Sequence, residues 1–173
     1  MSKPKMVIAG GNGFLGAHLQ EHFRRLGYRV VVISRGGATG ADSLRWDARS
    51  LGPWAAELEG ADILLNMAGR TVDCRYNEAN KREIIASRVD STRVLGQAVA
   101  ACTTPPRVWL NSSTATIYAD TRGDQPANTE ATGVIGTDFS VGVATAWEEA
   151  FAASATPGTR RVALRTAIVL GRD

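Results

Sequence analysis

Short apolar blocks closed by glycine or polar residues recur along the chain. Longer stretches between them carry apolar residues at every third or fourth position. The blocks are Met6–Ala9, Val30–Ile33, Ile63–Leu65, Val108–Leu110 and Val162–Leu164, the last expected to continue through Ile168, Val169 and Leu170. Blocks that are apolar at every position, with no in–out alternation, predict parallel strands covered by helices on both faces. After the first block, Leu15, Leu19, Phe23 and Leu26 share one side of a helix, with Gly27 placed to cap its C-terminus. Ile84, Ile85, Val89, Thr92, Leu95 and Val99 line one side of a long helix beginning near Asn77. Val143, Ala146, Trp147 and Ala150 mark a third helix, and Pro53–Leu58 a short one. Strands and helices in alternation predict an α/β fold, a doubly wound parallel sheet. Only Gly171–Asp173 follow the last block. A sheet of this kind continues past such an edge, so residues 1–173 are expected to be one domain, the N-terminal fragment of a longer protein.

Composition narrows the class. With 173 residues, 44% of them hydrophobic and 21% charged, the chain has the profile of one globular domain with its own core. No apolar run approaches the roughly 20 residues that span a bilayer, and Met6–Ala9 is too short for a secretory core. A cytoplasmic location and no membrane partner are expected. The net charge of +3 raises nucleic acid as a partner, but the basic residues are scattered, with nothing denser than pairs such as Arg24–Arg25 and Lys81–Arg82. No basic stripe or aromatic interleaving appears, so no nucleic-acid partner is expected. Cys74 and Cys102 lack CxxC or histidine neighbours and read as reduced thiols. His18 and His22, four apart around Glu21, match a short zinc-peptidase pattern but lie on the first helix as a solvated pair, so no metal site is expected.

The first block runs into Gly10-Gly11-Asn12-Gly13-Phe14-Leu15-Gly16 and then directly into a helix. Glycines at 10, 13 and 16 suit a tight turn, a close approach of backbone to a pyrophosphate, and close helix–strand packing, in that order. The helix N-terminus adds free N–H groups and the positive end of its dipole. Such glycines are a weak signal alone and a strong one between a strand and a helix. The second block ends in Ser34-Arg35, with no acid before Asp42 to accept hydrogen bonds from a ribose diol. A guanidinium there pairs with a 2′-phosphate, so NADP is expected in preference to NAD.

The glycine turn, Asn66-Met67-Ala68-Gly69 after the third block and Ser112–Tyr118 after the fourth resemble the extended short-chain dehydrogenase/reductases. Those are the NAD(P)-dependent epimerases and dehydratases. Trp46-Asp47, Glu83–Val89, Trp147-Glu148, Leu164-Arg165-Thr166 and Val169–Arg172 resemble an atypical nucleoside-diphosphate-sugar epimerase branch of that family. The resemblance implies a Rossmann-like NAD(P)-binding domain whose C-terminal substrate domain is missing. It implies cofactor contacts at Gly10, Asn12, Gly13, Phe14, Leu15 and Gly16 with the pyrophosphate. Ser34 and Arg35 would meet the phosphorylated ribose, Asp47 the adenine edge, and Met67, Ala68 and Gly69 the second ribose. Glu83 and Arg88 match contacting positions on the long helix, and Val169 would sit near the nicotinamide. Glu83 and Arg88 are five apart, off the spacing of a facing pair.

The wider family moves protons with a Ser or Thr and a Tyr whose pKa a nearby Lys lowers; an unperturbed Tyr titrates near 10. Here Thr114 stands at the hydroxyl position, but no Tyr-x-x-x-Lys exists, and Asp138–Thr145 occupies its place. Tyr118, with Arg122 four residues on, is the remaining phenol near the site, and it is the second proton-transfer candidate. Two functions stand side by side. One is an NADP-dependent oxidoreductase or epimerase acting on a nucleotide sugar or a small carbonyl or hydroxyl substrate. The other is a non-catalytic NADP(H) sensor or scaffold. A homodimer through the long helix is a further expectation.

Overall fold

A computed structural model of the chain describes residues 3–36 and 40–171; Arg172 lies outside them. Its strands are β1 (Lys5–Ala9), β2 (Arg29–Ser34), β3 (Ser43–Arg45), β4 (Ile63–Asn66), β5 (Val108–Thr114) and β6 (Arg160–Thr166). Helices α1 (Phe14–Arg25), α2 (Glu78–Ala100) and α3 (Phe139–Ala152) stand between them, with 3-10 turns at Pro53–Leu58 and Ala115–Ile117. The strands form one sheet in the order β3-β2-β1-β4-β5-β6, every pairing parallel. The winding reverses between β1 and β4, and a crevice opens there at the carboxyl ends of the strands.

Helices cover both faces. Leu19 and Phe23 of α1 pack on Met6, Ile8, Val30 and Leu65. On the other face Val94, Leu95, Ala98 and Val99 of α2, Phe151 of α3, and Trp54 and Leu58 pack on Val7, Val31, Ile33, Leu64 and Trp109. Gly27 adopts φ +86° just past α1, as its capping role requires. Asn77 and Asp138 cap α2 and α3, accepting from the Asn80 and Val141 amides.

Two elements differ from the sequence pattern. Strand β3 has a single apolar residue, Leu44, and no hydrophobic run announces it; the main chain of β2 recruits it, pairing Val32 to Ser43 and Ser34 to Arg45. The last block stops at Thr166, and Ile168 and Leu170 are 87% and 88% exposed. Strand β5 ends at Thr114, where the chain enters a 3-10 turn, so residues beyond Thr166 have no ladder to join. With one neighbour only, β6 is an edge strand and far more exposed than β1 and β2.

Candidate functional site

The glycine turn is built by three distinct constraints. Gly10 holds φ +78°, and a Cβ there would stand 2.8 Å from the Ala68 backbone. A Cβ on Gly16 would collide with the Gly11 carbonyl, so α1 approaches the turn this closely only with glycine there. Gly13 is different: its φ of −86° suits any residue, and a Cβ on it would project into open space. That space is what a closely bound diphosphate needs. No side chain caps the first turn of α1, and no acidic residue lies in it, which leaves its dipole available to an anion. Asn12 donates to Ser34 Oγ at 2.9 Å, tying the turn to the end of β2.

A buried polar network supports the opposite wall. Asn66 Oδ1 accepts from the Ala68 amide at 3.0 Å, while its Nδ2 donates to Asn111 Oδ1 at 2.7 Å and Thr92 Oγ1 at 3.1 Å. Trp147 Nε1 donates to Thr92 Oγ1 at 2.9 Å, joining α3 to α2. Asn66, Thr92 and Asn111 are fully buried. The network orients the Met67–Gly69 segment, and the sequence pattern missed it because Thr92 and Trp147 fit the apolar faces of their helices.

Between these walls lies a cleft of about 890 Å³, a size suited to a cofactor. Gly10, Asn12, Ser34, Arg35, Asp47, Met67, Ala68, Gly69 and Glu83 line it, all anticipated from the sequence. So do Arg45, Arg49, Arg70, Ser87 and Asp90, which were not. Asp47 Oδ1 accepts from the Ser50 and Arg49 amides, each at 2.8 Å, and these bonds hold its carboxyl down at about 2. Ala48 beside it carries φ 63°, a strained value for a residue with a Cβ. Glu83 pairs with Arg70, whose Nη2 also donates to Asn80 Oδ1 at 2.9 Å, and not with Arg88.

The remaining candidates lie off the lining. Arg88 sits behind Gly69, its Cζ 3.1 Å from the position of a Cβ there, and Nη1 donates to the Arg70 and Ile84 carbonyls. The guanidinium lies 5.2 Å over the Trp147 ring, and burial lowers its pKa. Gly13 precedes α1, Phe14 and Leu15 are exposed in its first turn, and Gly16 is buried against the Gly11 carbonyl. Val169 is half exposed beyond β6, and Gly171, two residues later, packs on the Phe14 ring, so this segment returns to the turn.

Thr114 closes β5, its Oγ1 accepting from the Thr116 amide at 3.2 Å and lying 2.9 Å from Thr116 Oγ1. Tyr118 lies against Gly133, and its hydroxyl accepts from Arg165 Nη1 at 2.6 Å. The cation at Tyr118 is therefore Arg165 of β6, whereas the Arg122 main chain bonds Gln125. Arg165 also forms a two-pronged pair with Glu148 of α3, at 2.9 and 2.8 Å, and Ser113 donates to the same carboxylate at 2.5 Å. Arg165 holds the Glu148 carboxyl below its ordinary value, against burial, and Glu148 raises Arg165 in return.

A parallel sheet in this order, with a glycine turn opening its first helix at the switch point, defines a Rossmann-like α/β domain of the nucleotide-binding type. The chain belongs to the NAD dependent epimerase/dehydratase family, whose sequence profile matches residues 6–173. It is 30% identical to the epimerase family protein SDR39U1 of Bos taurus, over 97% of this chain and 55% of that protein. The epimerase family protein YfhF of Bacillus subtilis is 27% identical, over 96% and 55%. Among solved structures, human SDR39U1 (isoform 2) with NADPH superposes with a TM-score of 0.81 at 27% identity, covering 98% of this chain and 55% of that one. A nucleoside-diphosphate sugar epimerase from Corynebacterium glutamicum gives 0.77 at 28%, over 95% and 34%. The chain thus spans about half the length of the SDR39U1 and YfhF relatives.

Proposed function

We propose that this chain is the cofactor-binding part of an NADP-dependent oxidoreductase or epimerase acting on a nucleotide sugar or a small carbonyl or hydroxyl compound. The observation that carries the reading is the cleft itself. It joins the glycine turn, at Gly10 and Asn12, to Arg35 at the end of β2, where an NAD site would place a carboxylate, and next to it Gly13 leaves open space. The NADPH-bound human relative supports the same choice of coenzyme. In this reading the turn and the first amides of α1 hold the diphosphate, and Met67–Gly69, propped by Asn66, face the second ribose. Bound nicotinamide supplies hydride transfer. Thr114 is the hydroxyl nearest the family's proton-transfer position, and Tyr118 is the phenol beside a cation. Among the described residues no helix is long and apolar enough to cross a membrane, and a cytoplasmic location remains part of the proposal.

A second reading, a sensor that binds NADP(H) without turnover, draws on one observation. The hydroxyls of Thr114 and Tyr118 are already engaged by Thr116 and Arg165, and both residues lie outside the cleft lining. Fluorescence titration with NADPH and NADH, followed by a cofactor-oxidation screen against carbonyls and nucleotide sugars, separates the two. Turnover lost in Thr114→Ala or Tyr118→Phe supports the enzyme; tight NADPH binding with no chemistry supports the sensor. Arg35→Asp is expected to weaken NADPH at least tenfold more than NADH, on the order of one charge-assisted contact. Equal loss of both removes Arg35 from coenzyme choice.

A further inference from the structure

We propose that Arg45 acts with Arg35 as a two-guanidinium site for a dianionic phosphate monoester, making Arg45 a second determinant of coenzyme choice. The inference deepens the NADP reading and rests on it. Arg45 is the last residue of β3, paired in register with Ser34 of β2, and Arg35 follows Ser34 directly. Parallel neighbours run about 4.8 Å apart, so two adjacent strand ends each deliver an arginine to the same end of one cleft. The Asn12–Ser34 bond fastens that end to the glycine turn.

Charge accounting points to the ligand. Of the acids of the cleft, Glu83 pairs with Arg70 and Asp90 with Arg49 at 3.5 Å, while Asp47, hydrogen-bonded only by the Arg49 and Ser50 amides, keeps its single negative charge against the two positive charges of Arg35 and Arg45. Arg35 and Arg45 are exposed and pair with no carboxylate among the described residues. Two guanidinium groups without a carboxylate partner at one end of a cleft, outnumbering the one unpaired acid, suit a group bearing about −1.5 to −2 charges, which a phosphate monoester carries at neutral pH. A ribose diol donates hydrogen bonds, and arginine offers it no acceptor. Packing does not explain Arg45 either, because Leu44 alone anchors β3 to the core and the strand is held by its main chain.

The test is calorimetric titration of the protein and its Arg35→Ala, Arg45→Ala and Arg45→Lys variants with NADPH, NADH, 2′,5′-ADP and 5′-AMP, with melting curves as the control for folding. Arg45→Ala is expected to weaken NADPH and 2′,5′-ADP about ten- to a hundredfold. It should leave NADH and 5′-AMP within about twofold and flatten the salt dependence of NADPH binding. Arg45→Lys should recover part of the loss, since it keeps the charge without the fork. Equal weakening of the ligands with and without the 2′-phosphate, or none, overturns the role of Arg45. If the unaltered protein itself does not prefer NADPH to NADH, the coenzyme reading falls first. If it does, and Arg35 alone carries the preference, only the claim for Arg45 falls.

Discussion

Two glycines of one motif are required for different reasons, and substitutions separate them. Gly16→Ala forces a methyl group into the Gly11 carbonyl, so α1 must shift; we expect a loss of about 1–3 kcal/mol and weaker cofactor binding together. A Cβ on Gly13 meets no atom and no forbidden φ, so Gly13→Ala should cost less than about 1 kcal/mol, as a poorer N-cap of α1, while binding falls steeply, because the added methyl enters the phosphate's space. Denaturant unfolding beside NADPH titration reads both. Equal destabilisation by the two variants would contradict this division. The glycine positions and Arg35 were readable from spacing alone. The pairing of Arg70 with Glu83 was not, since it joins residues thirteen apart that meet only when α2 folds back over the β4 end.

At the level of elements, α3 is fastened to the sheet and to α2 by polar contacts rather than by its apolar face alone. Thr92→Val removes the acceptor of the Trp147 indole and one partner of Asn66 in a fully buried network. It should cost about 1–3 kcal/mol in urea unfolding. Glu148 ties α3 to β6 through Arg165. Its folded pKa lies below the ordinary 4.5, so its stabilisation is complete above that pH and is lost as the pH falls through the lowered value. Glu148→Gln should therefore lower Tm at pH 7, and the gap to the parent protein should close below pH 4.5. A gap constant across that range would exclude the ion pair as its cause. Apolar periodicity revealed every helix of this layer, but it could not reveal β3, whose three residues carry one apolar side chain. It also overextended β6, because a strand needs a partner as well as an apolar sequence.

For the molecule as a whole, the coenzyme should act as a stabiliser, since a ligand that binds only the folded state shifts unfolding by mass action. NADPH at a hundred times its Kd should add about 2.7 kcal/mol, read as a rise in Tm. NADH at the same concentration should add less. No shift with either would remove the cleft's assignment to a dinucleotide. The uncovered side of β6 and the exposed segment beyond Thr166 mark the rim of the sheet, in a chain that spans about half the length of the curated relatives it matches.

What the sequence determined by itself was local: strands from unbroken apolar runs, helices from their period, and a tight strand-to-helix turn from glycines whose spacing has meaning within a few residues of backbone. From these the parallel α/β order followed, because strand–helix alternation leaves few other ways to bury both faces of a sheet. The tertiary structure alone decided which charges cancel and which remain. Arg70 is neutralised by Glu83, Asp47 is held by amides, Tyr118 receives Arg165 instead of Arg122, and Arg35 and Arg45 are left facing the cleft without carboxylates. The physical reason is reach. Hydrophobic period is written along the chain, whereas an ion pair depends on distances between residues that only folding brings within a few ångströms.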